Sequence, residues 1–348
     1  MHVPDGFIDA PTSAVTGVVA AGALAVSLRG ARRELDERTA PLAGLVAAFI
    51  FAVQMLNFPV AAGTSGHLLG GALAAILVGP FTGVLCVSVV LLMQGILFAD
   101  GGLTALGVNI TDMAIVTTVV SYAVFRGLVK VLPRKRRSVT VASFTAAAVS
   151  VPAAAVAFTL IYSVGGTTDV AISKVATAMI GVHVLIGIGE AAITALTVGA
   201  VIAVRPDLVY GARGLQQRLK LRVNGELVDA PAAGPVPAAT ARTQRKLWIT
   251  GLVTSLVLAG FVSFYASASP DGLEKIAHDK GIDRKAEKHA SAGSPLAGYG
   301  VEDVSDARLS GGLAGVIGVG VTVVAGSTVF WAVRRRRTRD VSAVSTGV

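Results

Sequence analysis

The chain has 348 residues, 53% of them hydrophobic and only 15% charged, with a mean hydropathy of +0.71. A soluble globular domain carries about a quarter charged residues, and a water-facing surface of this size needs that charge, so a soluble globular protein is excluded. The formal net charge of +9 does not indicate nucleic acid as a partner, because the basic residues sit in short clusters beside apolar runs and aromatics make up only 5%. Cys86 is the single cysteine and lies inside an apolar run; a disulfide framework is impossible and the residue reads as a small buried hydrophobe. The 40 glycines suit closely packed transmembrane helices.

In chain order, the first segment is Met1-His2-Val3-Pro4-Asp5-Gly6-Phe7-Ile8-Asp9-Ala10-Pro11. It has no basic stretch ahead of an apolar run and carries Asp5 and Asp9, so it does not read as a signal peptide and is expected to stay on the mature chain. Apolar runs follow at 12–28, 41–60, 80–98, 109–129, 139–162, 172–204, 247–266 and 310–333. Most approach or exceed the ~20 residues a helix needs to cross the hydrocarbon core. A ninth, shorter run at 68–79 breaks at Gly79-Pro80, where a helix cannot continue cleanly. It is too short to cross unless it tilts or is shielded by protein.

The fold expected from this pattern is an all-α polytopic membrane protein. Residues 1–205 form a seven-span core, 206–246 a cytoplasmic linker, 247–333 a two-span hairpin around an external polar block, and 334–348 a basic cytoplasmic tail. The linker holds a basic amphipathic piece from Gln216 to Arg222 and the Ala/Pro-rich stretch Ala230–Pro237, which cannot pack a core. With the N-terminus outside and the C-terminus inside, 23 of the 30 Lys and Arg fall in cytoplasmic segments. Of the seven outside, six lie among the acids of 268–308 and the other is Lys174. Inverting the chain would put four basic clusters outside.

Two features on the outer side carry chemistry. A terminal amine, the amide nitrogen of residue 2 and the Nδ1 of His2 can close fused five- and six-membered chelate rings on one metal, leaving a fourth corner for another imidazole. Tetragonal nitrogen ligation favours Ni(II) or Cu(II), imidazole also suits cobalt, and a polarising ion promotes loss of the amide proton. Methionine is expected to be retained ahead of a side chain as large as histidine. The second feature is Gly63-Thr64-Ser65-Gly66-His67-Leu68-Leu69-Gly70, which puts His67 at an external helix start between glycines that admit a close backbone approach. Either histidine alone is unremarkable; their prediction on one face is the signal.

These segments, with Leu97-Phe98-Ala99-Asp100-Gly101-Gly102-Leu103-Thr104-Ala105-Leu106-Gly107, resemble the substrate-binding (S) component of energy-coupling factor transporters for nickel and cobalt, the CbiM/NikM family. His183-Val184-Leu185-Ile186-Gly187-Ile188-Gly189-Glu190 is similar to that family's last core helix. The resemblance covers about residues 1–205. It implies metal held by the Met1 amine, the His2 amide and imidazole, and the imidazole of His67, with no departure at these positions. It also implies a transmembrane coupling (T) subunit and cytoplasmic ATPase (A) subunits in the plasma membrane as partners. Ser269-Pro270-Asp271-Gly272-Leu273-Glu274 resembles the small accessory component of the same systems, CbiN/NikN with its PDGLE signature, fused behind the linker. Helping to load metal or opening the N-terminal loop are both open as its role.

Other residues have two readings each. His183 and Glu190, seven apart on one helix face, would either line an entry path and support the site, or hydrogen-bond between helices. Asp100 and Asn109 border an external turn as loop and cap or as support for the metal mouth, and Gln94 within the fourth span is similar. His278 and His289 are weak metal-gathering groups or ordinary surface residues. Gly17, Ala21 and Ala25, with Ala14, Ala20 and Gly22, give the first helix a small-residue face for internal packing or for docking a coupling subunit. No G-x-x-x-x-G-K-[ST] pattern occurs, so ATP hydrolysis must come from partners. No HExxH or GxSxG motif supports an intramembrane hydrolase; the chain is not expected to be an enzyme or to carry a cofactor. The alternative to a transport subunit is a metal-sensing or assembly protein.

Overall fold

A computed structural model of the chain describes residues 1–36, 39–61, 63–215, 220–223, 226–229 and 241–345. It is mostly helical. Helix α1 (Ala10–Glu34) starts where the Asp9 carboxylate accepts a hydrogen bond from the Thr12 amide at 2.8 Å, with proline in the first turn. Next come α2 (Thr39–Gln54) and a short antiparallel ladder that pairs β1 (Phe58–Pro59) with β2 (Ser65–Gly66). The expected run 41–60 therefore ends early: Pro59 disfavours helical backbone at Phe58, and the chain leaves the helix to pair with the segment before His67.

Helix α3 (Gly71–Val78) stops at Gly79, whose φ of 104° is open to glycine, and α4 (Pro80–Leu97) starts at once with proline in its first turn. All eight residues of α3 are buried, so this short segment lies inside protein rather than against lipid. Helix α5 (Leu106–Val131) is α-helical except for a π-helical stretch, Ile110–Val116. Helices α6 (Arg136–Gly165) and α7 (Ile172–Val204) pack extensively on each other, with Pro152 inside α6.

Residues 206–215, expected to open the linker, instead make 3-10 turns packed under α3 and α6, burying Leu208, Val209 and Ala212. An antiparallel pair follows, β3 (Lys220–Val223) with β4 (Glu226–Asp229). The expected start of the amphipathic piece at Gln216, and Ala230–Pro237, lie outside the described residues, as does Arg38.

The C-terminal part comprises α8 (Ala241–Gly260), the polar block expected to be external, with α9 (Gly272–Lys280), and α10 (Ala307–Ser345). Both α8 and α10 pack on α2. Small residues allow it: a Cβ on Gly318 of α10 would run into Phe51, and one on Gly44 of α2 into Ser327. Helix α10 continues past Arg334–Arg337, where the sequence analysis ends it, since no Gly or Pro interrupts the chain before Gly347.

Seven of these helices are long and apolar enough to cross a membrane: α1, α4, α5, α6, α7, α8 with the turn after it, and α10. The other two expected spans are the shorter α2, at 16 residues, and α3, at 8. On α1, Ala14, Ala21, Gly22 and Ala25 are exposed, and only Ala20 of the small-residue set is buried.

A carboxylate joins α1 to α4. Glu34 accepts hydrogen bonds from the Thr82 amide (2.7 Å), the Thr82 hydroxyl (2.8 Å) and the Phe81 amide (3.3 Å), satisfying amides at the start of α4 that have no partner within the helix. We expect Glu34→Ala to destabilise the detergent-solubilised protein by about 1–3 kcal/mol, measured by thermal unfolding, because these buried donors lose their acceptor.

Candidate metal site

The N-terminal nine residues descend into a cleft and are held strand by strand rather than by packing alone. The Gly102 amide donates to the Val3 carbonyl (2.8 Å), and Asn109 both accepts from the Val3 amide (2.7 Å) and donates to the Val3 carbonyl (3.1 Å). Asp5 accepts from the Thr104 amide (2.8 Å) and hydroxyl (2.6 Å), while the Glu287 amide donates to the Asp5 carbonyl (2.9 Å). Further along, the Thr167 amide donates to Phe7 (3.2 Å) and the Asp9 amide to Gly165 (2.7 Å). The tight seat requires glycine: a Cβ on Gly102 would land on the Asp5 backbone, and Gly101, at φ 76°, faces His2 and Asn109.

This path delivers the terminal nitrogen of Met1 to 2.7 Å from Nε2 of His67 and 2.7 Å from Oδ2 of Asp271. The Nδ1–H of His67 donates to the Leu68 carbonyl (3.0 Å), which leaves the Nε2 lone pair facing the amine. The ring of His2 lies 5.2 Å from that of His67, centroid to centroid, and its buried Nδ1 has no hydrogen-bond partner. Met1, His2, His67 and Asp271 are all buried. His2, His67 and Asp271 border a cavity of about 560 Å³ that Asp100, Glu274 and Tyr299 also line.

Burial pushes the His2 imidazole down to about 4 against the pull of Asp100, so at neutral pH it is an uncharged nitrogen donor. Burial alone would raise the Asp271 carboxyl, but the terminal ammonium and His67 outweigh it and hold the group well below the usual carboxylate range. Among the described residues no three His, Cys, Asp or Glu side chains form a metal-holding group on their own. The set here depends on the terminal nitrogen. An amine, two imidazoles and a carboxylate suit a late first-row divalent ion.

The supporting candidates from the sequence fall in four places. Glu190 accepts from the Leu69 (2.7 Å) and Gly70 (3.1 Å) amides and so fixes the loop that carries His67. Asn109 holds Val3, and Asp100 lies 3.5 Å from the free Nδ1 of His2 while accepting from the Tyr299 hydroxyl (2.5 Å). Gln94 shapes the same loop through its carbonyl, which accepts from the Asp100 amide (3.1 Å). His183 is buried under the start of α9, donating to the Met179 carbonyl (2.7 Å).

Of the two outer histidines, His278 stands in solvent beside Asp283, whereas His289 donates to the Gly101 carbonyl (3.1 Å) and ties the external block to the glycine loop. Sequence reasoning passed over Asp271 as a contact of the N-terminus. The signal available was the capping pattern: Asp271 and Glu274 cap α9 reciprocally, which occupies only one Asp271 oxygen.

A multi-pass helical membrane protein with a buried nitrogen-rich cluster at its N-terminus defines a class, that of transition-metal uptake components. The family whose profile is described as the cobalt uptake substrate-specific transmembrane region, CbiM, matches residues 2–208, and the PDGLE domain matches residues 245–335. The chain belongs to the CbiM family and carries a PDGLE domain behind the family's region.

It is 39% identical over 211 residues to a putative fused nickel transport protein NikMN of Archaeoglobus fulgidus, covering 60% of this chain and 68% of that one. It is likewise 39% identical over 214 residues to a putative metal transport protein of Haloquadratum walsbyi, covering 60% of this chain and 94% of that one. A crystal structure of a truncated transition metal transporter aligns with a TM-score of 0.52 at 28% identity, covering 58% of this chain and 99% of that one.

Two expectations test the geometry. Gly102→Ala should weaken metal binding on the order of tenfold or more although it removes no donor group, because its Cβ displaces Asp5 and the loop that carries Met1 and His2; isothermal titration with Ni(II) measures it. Unfolded His2 takes up a proton near 6.5 and folded His2 only near 4. Acid between these values therefore favours the unfolded chain, and stability falls as pH drops through that window. Metal-free wild type should lose more thermal stability between about pH 7 and pH 5 than His2→Gln, whose side chain does not titrate.

Proposed function

We propose that this chain is the substrate-capture component of an energy-coupling factor transporter that imports Ni2+ or Co2+. The ion is held by the Met1 amine, the His2 amide and Nδ1, and His67. The observation that carries this reading is the 2.7 Å approach of the Met1 nitrogen to a His67 Nε2 whose lone pair faces it, with an unpartnered His2 Nδ1 alongside. Amine, amide and Nδ1 of one N-terminal dipeptide close two fused chelate rings, and His67 fills the fourth corner of the plane. The ion gives up its water for preorganised donors, and the cost of ordering the loop has already been met by the contacts of Val3, Asp5 and Phe7. The cavity beside the site offers Asp100 and Glu274 to an incoming hydrated cation.

In this reading the N-terminus faces outward and the C-terminus inward in the plasma membrane, consistent with the distribution of Lys and Arg. Residues 1–205 capture the metal, and the two-span PDGLE unit, 247–333, sits over the mouth of the site from the same side. The working partners are a transmembrane coupling subunit and cytoplasmic ATPases, since the chain has no phosphate-binding loop of its own. The exposed small-residue face of α1 is available for the coupling subunit.

The test is a set of variants read by equilibrium metal binding. A short N-terminal extension, His2→Ala and His67→Ala should each cost about a hundredfold or more in Ni(II) affinity, beyond the loss of an outer contact. Retained submicromolar binding by the extended protein would sink the amine as a ligand. Metal accumulation in cells with and without the coupling ATPase then separates transport from sensing.

A further inference from the structure

We propose that Asp271, from the PDGLE block, is a donor to the captured metal, so that the C-terminal unit completes the site rather than merely covering it. This rests on the metal-capture reading above. Donors bonded at roughly 2.05 Å to one ion lie between about 2.7 Å and about 4.1 Å apart, from close cis pairs to trans pairs. Asp271 Oδ2 stands 2.7 Å from the Met1 nitrogen and 3.6 Å from Nε2 of His67, and those two nitrogens are 2.7 Å apart. All three separations fit donors around a single centre.

The carboxylate is also aimed and held. Its Oδ1 accepts from the Glu274 amide (2.8 Å) while its own amide donates to Glu274 (2.9 Å), so Oδ2 is the oxygen left for the cleft. The segment ahead of it is stitched to the strand that leads into His67: the Ser65 amide donates to the Pro270 carbonyl (2.9 Å) and the Ser65 hydroxyl to the Ser269 carbonyl (2.7 Å). Gly272 permits the approach, since a Cβ there would press on Val182 and Ile186 of α7. Asp271 and His67 therefore move as one unit.

Charge points the same way. Four nitrogen donors with one ionised amide bring a single negative charge to a divalent ion. Asp271 brings the second, and a buried site without net charge is the least costly to form. Asp5 is the other acid buried near the N-terminal loop, and its carboxylate is occupied by Thr104.

The experiment uses the full-length protein in detergent, loaded with Ni(II) alone, and counts the metal's light-atom donors by X-ray absorption alongside its affinity and magnetism. Asp271→Ser removes the carboxylate but keeps a residue able to cap α9, and Asp271→Ala serves as a second variant. We expect wild type to show five light-atom donors with paramagnetic nickel. The Ser variant should lose one donor, become square-planar and diamagnetic, and bind at least tenfold more weakly. Four donors and diamagnetic nickel in wild type, or a first shell that is the same in wild type and both variants, overturns the proposal whatever the affinities. The N-terminally extended protein, run in parallel, reports separately on the amine: if it binds as wild type does, the capture reading fails.

Discussion

The terminal nitrogen of Met1 is the point on which the loops at one end of the helices converge. An N-terminus is ordinarily the freest part of a chain, and burying one requires each neighbouring polar group to find a partner. Here, Val3 is bonded to Gly102 and Asn109, Asp5 to Thr104 and Glu287, Phe7 to Thr167 and Asp9 to Gly165. Those partners come from the α4–α5 connection, α5, the external block and the end of α6. The position of one amine is thus set by most of the core, and distortion at any of these elements reaches it.

The same logic explains why the PDGLE unit is no loose appendage. Helices α8 and α10 pack on α2, whose small residues let them come close, and the loop they present reaches back to the strand before His67. Glu287 and His289 bond to the N-terminal loop and to Gly101 from above. Any movement of the N-terminal loop has to alter contacts that span both parts of the chain. The two parts are joined by shared hydrogen bonds as well as by helix packing.

Much of this was legible in the sequence because it depends on local rules. Long apolar runs and the Gly79-Pro80 break rest on helix length and proline chemistry, and each appears in the structure near its expected place; His2 and His67 are read from ligand type, and the structure sets their rings 5.2 Å apart. The failures have a common cause, which is that tertiary pairing is not periodic. The run 41–60 ends at Gln54 because Phe58–Pro59 pairs with Ser65–Gly66, and residues 206–215 pack under α3 although their composition reads as linker. Asp271 was passed over for a related reason: a residue 270 positions from its partner leaves no trace in spacing.

The buried acids show what low dielectric does to a sequence with few charges to spare. Glu34 spends its carboxylate on the first amides of α4, and Glu190 on the amides after His67. Each sits where a backbone turn would otherwise leave donors unsatisfied away from water, a cost of about 1–3 kcal/mol apiece. Asp271 differs from them. One oxygen caps a helix as theirs do, while the other is turned toward an amine and an imidazole that face each other. Glu34 and Glu190 each satisfy both oxygens with backbone donors. Turning the second Asp271 oxygen to the terminal ammonium and an imidazole ties the C-terminal unit to the N-terminus by charge as well as by hydrogen bonds.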